Sequence, residues 1–291
     1  MADRDAATLT WRRLWAETSE QLRDRQHARW MCEVASGFDG AEFIEALDDA
    51  PTQRMVAHLD TMLARRLGGE PLQYVLGRWQ FRALDLMVDR RVLIPRPETE
   101  WVAEIAIGIA RSIAPPRRIV DLGTGSGALG LSMAAELPIA SSEIWLTDVS
   151  PDAIDVARAN LAGLGRAGAF VRVVQGSWFV ALPAELRGTI DLVVSNPPYV
   201  ADDDPELEAD VAAWEPASAL FGGHDGLDHV RAIVGDAGRW LRPGGAIVFE
   251  IGADQAVAVE ALLNAHGFRH VEIADDLTGR PRVASARTPE A

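Results

Sequence analysis

Asn196-Pro197-Pro198-Tyr199 is the segment of this chain whose residue types most narrowly define a chemistry. Consecutive prolines hold the backbone extended and carry no N–H. The Pro197 carbonyl can therefore accept from a ligand, and the Asn196 side-chain oxygen supplies a second acceptor. Two acceptors match the two hydrogens of an NH2 group, and the ring of Tyr199 offers a face to a planar group bearing that amine, an amide or a nucleobase. A proline-stiffened turn with no ligand is the bland alternative. The segment follows the apolar run Ile190 to Ser195, which places it at the carboxyl edge of a strand, where open α/β sheets bind ligands.

A second signal is Asp121-Leu122-Gly123-Thr124-Gly125-Ser126-Gly127-Ala128-Leu129-Gly130, which follows a β-like run and opens a helix. Glycines there let the backbone bend sharply and approach a ligand with no Cβ in the way. Gly125, Gly127 and Gly130 also satisfy the dinucleotide fingerprint G-x-G-x-x-G, a weak match when it stands by itself. Asp148 lies 23 residues after Gly125, at the end of the next strand, where a carboxylate can accept from both ribose hydroxyls. Alone it reads equally well as a helix-capping acid ahead of Ser150-Pro151. The glycine turn and Asp148 fit a dehydrogenase as well as a methyltransferase. Asn196 to Tyr199 decides for amino-group methylation, since nothing explains it in a hydride-transfer site.

Composition removes other chemistries. The 291 residues include no lysine, so a P-loop lysine, a pyridoxal Schiff base and a lysine general base are excluded. The single cysteine, Cys32, cannot form an intrachain disulfide or a cysteine zinc cluster, and Cys32, His224 and His229 read as structural or surface residues. No metal constellation can be built. No apolar run approaches a membrane span, and no charged-then-apolar leader opens the chain, so a soluble, cytoplasmic protein is expected. Net charge is −15 and unevenly spread: residues 141–230 hold 15 acids against 4 arginines. A free polyanion would be repelled there, and a partner should be locally basic.

The elements that must position these residues fall into a helical front and an alternating α/β remainder. Residues 7–68 carry apolar positions at helical spacing, among them Leu9, Leu14 and Leu22, Phe43, Ile44 and Leu47, then Met55, Leu59, Met62 and Leu63. Gly68 and Gly69 close this bundle. Trp79 to Ile94 turns to alternation and reads as a short β-hairpin joining two domains. Pro95 and Pro97 bar regular helix before one begins near Thr99-Glu100. Strands are expected at 117–122, 143–148, 170–174, 190–195, 245–251, 269–274 and 282–286, with helices at 128–137, 151–164, 226–241 and 254–266. That order gives a largely parallel sheet wound on both faces. The acidic stretch 202–215 reads as a solvated loop beside a short helix.

In these residues the chain resembles class I S-adenosylmethionine-dependent amino-methyltransferases, and more narrowly the release factor glutamine N5-methyltransferases (the HemK/PrmC family). Further matching stretches are Gly69 to Tyr74 with Gly77 and Phe81, Leu93 to Glu100, Trp178-Phe179, Glu215-Pro216 with Ala219-Leu220, Asp225 to Asp228, and Glu250-Ile251-Gly252. The resemblance implies a Rossmann-like seven-stranded methyltransferase sheet at 98–291, a helical substrate-recognition domain at 1–77 and a β-hairpin, proline-rich linker at 78–97. It implies that Gly123, Thr124, Gly125, Ser126 and Gly127 wrap the methionine and ribose of S-adenosylmethionine, that Asp148 holds the ribose hydroxyls, and that Trp178 lies near the adenine. Ser177 stands where relatives often carry Asp. Asn196, Pro197, Pro198 and Tyr199 would hold the substrate, with Asn196 also beside the cofactor and Asn196, Pro197 and Tyr199 acting in catalysis. The substrate it implies is the Gln of the Gly-Gly-Gln loop of class I peptide-chain release factors. A ribosomal-protein glutamine methyltransferase and a nucleic-acid amino-methyltransferase acting on adenine N6 are the alternatives.

Overall fold

The computed structural model of the chain describes residues 9–205 and 209–290. It divides into two compact units, Met1–Gly77 and Arg78–Ala291. The first is helical: α1 (Trp11–Leu22), α2 (Arg25–Ser36), α3 (Ala41–Glu45), α4 (Gln53–Leu67) and α5 (Leu72–Leu76). Short polar side chains start three of these helices. Thr10 accepts from Arg13 N, Asp24 from Gln26 and His27 N, and Thr52 from Met55 N. The apolar stripes that follow meet in one core around Trp11, Leu14, Met31, Phe43, Leu59 and Met62. Residues 7 and 8 of the expected helical stretch lie outside the described residues. Two expectations change: Ile44 is exposed while its neighbour Phe43 is buried, and a further helix, α5, follows Gly68-Gly69.

The second unit opens with β1 (Arg78–Phe81) and β2 (Leu84–Met87), an antiparallel hairpin. Its turn residue Arg82 donates to Glu136 at 2.5 Å and to Glu104 at 2.7 Å, on the helices behind the sheet. Next come α6 (Pro97–Ser112), β3 (Arg117–Leu122), α7 (Ala128–Glu136), β4 (Ser142–Asp148), α8 (Pro151–Gly163), β5 (Val171–Gln175) and β6 (Ile190–Ser195). The chain finishes with α9 (Ala209–Trp214), α10 (Asp228–Trp240), β7 (Leu241–Glu250), α11 (Ala256–Ala265), β8 (Arg269–Asp275) and β9 (Pro281–Arg287). The acidic stretch 202–215 holds a loop and α9, and residues 206–208 of it lie outside the described residues.

The seven strands run in the order β5-β4-β3-β6-β7-β9-β8, parallel except for β9 against its two neighbours. The expected doubly wound sheet is therefore present. Both of its faces are covered: Val120, Val193, Ile247 and Phe249 join the core under α10 and α11, and the alternate residues Ile119, Leu192, Val194 and Val248 are equally buried on the face where α6 and α7 pack. The winding reverses between β3 and β6. Their register pairs Leu122 with Ser195, so the glycine turn and the Asn196 tetrapeptide leave the sheet side by side at the same level.

Candidate active site

Ser195 Oγ donates to Leu122 O at 2.7 Å and ties these two strand ends together. Beyond Leu122 the chain turns at once. Gly123 has φ +67°, and a Cβ there would sit 3.1 Å from the Trp178 ring, so a side chain would strain the turn and displace that ring. Thr124 N donates to Thr147 O at 2.9 Å, which fastens the turn to β4. Its hydroxyl donates to Asp121 Oδ2 at 2.5 Å, and Gly130 N of α7 donates to the same oxygen at 3.0 Å.

Asp121 is buried, and its other oxygen, Oδ1, has no donor. Burial pushes its carboxyl up to about 6, against the bonds from Thr124 and Gly130 and with the nearby Asp148 charge adding to the rise. Asp148, at the end of β4, accepts from Gly125 N on Oδ2 and from Ser150 N on Oδ1, each at 2.9 Å. Burial raises its carboxyl also, while these backbone donors oppose the rise. Capping of α8 falls to Ser150, which accepts from Ala153 N, so Asp148 is not spent as the helix cap.

A cavity of about 310 Å³ opens over the glycine turn, with Asp121 and Asp148 in its wall. Trp178 lines one side. Its φ of +43° is unusual for a bulky residue, and its ring lies 5.4 Å from that of His229, which lines the cavity as well. His229, expected to be structural or surface, is thus a wall residue on α10; nothing in its sequence neighbourhood marks it. His224 is exposed and Cys32 is buried with its thiol pushed up to about 12, and neither is among the residues lining the cavity. Ser177 also lines the wall beside Trp178, so no carboxylate stands at that point. Pro95 and Pro216 also line the cavity, on two segments that Glu215 joins: its buried carboxylate accepts from Ile94 N at 3.1 Å and pairs with Arg96.

Of the tetrapeptide, Asn196 and Pro198 line the cavity; Pro197 and Tyr199 do not. Asn196 donates from Nδ2 to Thr99 Oγ1 at 3.2 Å, and among the described residues nothing donates to its Oδ1. Thr99 in turn donates to Glu250 Oε2 at 2.6 Å, and Tyr199 OH donates to Glu250 Oε1 at 3.0 Å. Burial and the adjacent carboxylate push the Tyr199 phenol well above its usual range, so it stays a neutral donor. Its ring is covered by Arg282, with Cζ 5.9 Å from the centroid, instead of being turned to the cavity as a stacking face. Backbone packing fixes the tetrapeptide from the outside. Gln255 Nε2 donates to Tyr199 O at 2.9 Å, and a Cβ at Gly226 would lie 2.1 Å from that same oxygen. Gly226 thus keeps the 225–228 loop in contact with the motif.

Asn160 on α8 links the hairpin to the cavity: its Nδ2 donates to Ser126 O at 2.8 Å and Met87 O at 3.1 Å, and its Oδ1 accepts from Met87 N at 2.7 Å. Asn160→Leu should strand all three backbone groups and lower unfolding free energy by about 1–3 kcal/mol. Urea denaturation checks this, and an unchanged midpoint would refute it.

This wall suits a cationic nucleoside. It offers the buried Asp121 carboxylate with an unclaimed oxygen, the half-buried Asp148 carboxylate, a turn where a side chain at Gly123 would crowd Trp178, an indole, and one acceptor amide at the switch point of the sheet. Such a fold and site define a class I methyltransferase, and S-adenosylmethionine is its methyl donor. A model for "Methyltransferase small domain" matches residues 110–217 and one for "PrmC N-terminal domain" matches residues 12–77. The release factor glutamine methyltransferase of Burkholderia pseudomallei is 40% identical over 281 residues, 94% of this chain and 97% of that protein. That of Bordetella pertussis is 41% identical over 260 residues, 89% of this chain and 93% of its own. The chain belongs to the release factor glutamine methyltransferase family. The fold also matches a solved methyltransferase from Pyrococcus furiosus, with TM-score 0.52 and 17% identity over 79% of this chain and 99% of that one.

Proposed function

We propose that this enzyme methylates the side-chain amide nitrogen (N5) of the Gln in the Gly-Gly-Gln motif of class I peptide-chain release factors. The observation that carries this reading is Asn196, held at the cavity wall with its Oδ1 unclaimed. The nitrogen lone pair of a primary amide is delocalised into its carbonyl, so the amide is a poor nucleophile. Acceptors on both N–H bonds orient that nitrogen and favour electron density on it. Asn196 Oδ1 supplies one acceptor at the cavity wall; Pro197 lies outside the lining, and its carbonyl, which takes no hydrogen bond from the described residues, is the next acceptor along the motif. The glycine turn, Asp148 and Trp178, which line the same cavity, would hold the methyl donor beside Asn196. S-adenosylmethionine supplies a methyl group already activated on a sulfonium. The amide proton leaves late, to solvent.

The charge distribution supports a protein substrate: 15 acids against 4 arginines in residues 141–230 disfavour a phosphate backbone and favour a locally basic partner. No helix among the described residues is long and apolar enough to cross a membrane, and action in the cytoplasm, on factors of translation termination, is part of the proposal. Methyl-labelled cofactor incubated separately with purified release factors, ribosomal proteins and nucleic acid tests it. Label is expected on the release-factor Gln. Label on nucleic acid without label on protein would overturn the reading, and label on ribosomal protein alone would move the substrate within the glutamine methyltransferases.

A further inference from the structure

We propose that Thr99 and Glu250 are positioning residues that set the polarity of the Asn196 amide, turning its oxygen, and not its NH2, toward the substrate. An asparagine side chain is nearly symmetric in shape, and its orientation is decided by the groups around it. Only one orientation accepts from a glutamine NH2. The opposite one would point a donor at two donors.

The wiring that selects the orientation runs through a single hydroxyl. Thr99 has one proton, and it is committed to Glu250 Oε2 at 2.6 Å. Toward Asn196 the Thr99 oxygen therefore shows only lone pairs, and the Asn196 NH2 must face it, as it does at 3.2 Å. Glu250 plays this part while ionised, when both its oxygens are acceptors, one for Thr99 and one for Tyr199 at 3.0 Å. A protonated Glu250 could donate to Thr99 instead, which would free the Thr99 hydroxyl to donate to Asn196 and reverse the amide. The charged and titratable groups facing Glu250 are Arg282 of β9, Glu98 of α6 and Tyr199. Burial raises the Glu250 carboxyl, and the bonds from Thr99 and Tyr199 and the charge of Arg282 oppose the rise. Protonation, and with it loss of the productive orientation, should occur at a higher pH than for a carboxylate in water.

This inference rests on the glutamine reading and is tested separately from it, on the full chain with a release factor as substrate. Thr99→Val removes the hydroxyl at nearly constant shape. At saturating cofactor, and with active sites counted by cofactor binding, its kcat should fall roughly ten- to hundredfold with cofactor affinity little changed. Thr99→Ser, which restores the hydroxyl, should recover most of the loss. The wild-type kcat should decline on the acid side. Glu250→Gln, close in size and unable to ionise, should abolish that decline, a readout that a merely structural role would not move and that decides the matter if Thr99→Val does not fold. A kcat for Thr99→Val within about twofold of wild type, or an unchanged acid limb in Glu250→Gln, would overturn the inference while leaving the substrate intact. A wild-type enzyme that labels no release factor would refute the substrate reading instead.

Discussion

Asn196→Ala is expected to lower the rate of methyl transfer by roughly a hundred- to thousandfold, the usual cost of removing one preorganised hydrogen-bonding group from a reacting centre. Cofactor affinity should change little, because the glycine turn, Asp148 and Trp178 form other parts of the wall. The reasoning is differential: the bond from the glutamine NH2 to Asn196 Oδ1 strengthens as the nitrogen develops positive character, so its loss falls on kcat more than on binding. Asn196→Asp should not rescue. Its second oxygen would face the lone pairs of Thr99, whose proton is engaged by Glu250, and a further carboxylate would stand near a buried one. Single-turnover rates with a release factor, together with calorimetry of cofactor binding, separate the two effects. A variant that methylates within tenfold of wild type would remove Asn196 from the proposed chemistry.

Much of the architecture could be read from local pattern because the chain punctuates it clearly. β3 and β6 occupy the residues expected, 117–122 and 190–195, since each is a short apolar run ended by the residue that begins a functional turn. β7 starts earlier than its pattern suggests. Leu241 pairs with Ile190 across an irregular register, and Pro243-Gly244-Gly245 within the strand carry the composition of a turn. Pro97, by its type a bar to helix, is the first residue of α6, where its missing N–H costs nothing and its φ is already helical.

The candidate site divides in the same way. Residues in contiguous motifs announce themselves by type and order: Gly123 to Ser126, Asn196 and Pro198 line the cavity, while Gly127 packs against Leu131 and Leu146 and, like Pro197, is not among the lining residues. Thr99 and Glu250 fall in stretches that resemble the family but show no role by type, and His229 falls in none. The first two reach Asn196 and Tyr199 from 97 and 51 positions away in the chain, through crossovers that no local pattern encodes. Tyr199 shows the limit of reading a residue by type alone. Its ring suggests stacking, but a buried hydroxyl must find a partner, and finding it in Glu250 turns the ring away from the cavity.

Asp148→Asn, isosteric and superficially mild, should weaken cofactor binding about a hundredfold. Each oxygen of the native carboxylate already accepts from a backbone N–H, Gly125 on one and Ser150 on the other. An amide in that place must turn its NH2 onto one of these donors. It then loses an acceptor for the ribose and drives either the glycine turn or the start of α8 out of position. The pH dependence carries a second signature. Asp148 and Asp121 both have raised carboxyl values, Asp121 at about 6, so wild-type affinity should hold at neutral pH and decline as pH falls through this range. Removing the Asp148 charge removes one cause of the Asp121 rise. The acid limb that remains in Asp148→Asn, now belonging to Asp121, should therefore move to lower pH. Calorimetric titration of S-adenosylmethionine from pH 5 to pH 8 on both proteins measures plateau and limb together. A variant with wild-type plateau affinity, or a limb that moves to higher pH, would show that Asp148 neither holds the cofactor nor couples to Asp121 as the carboxylate geometry requires.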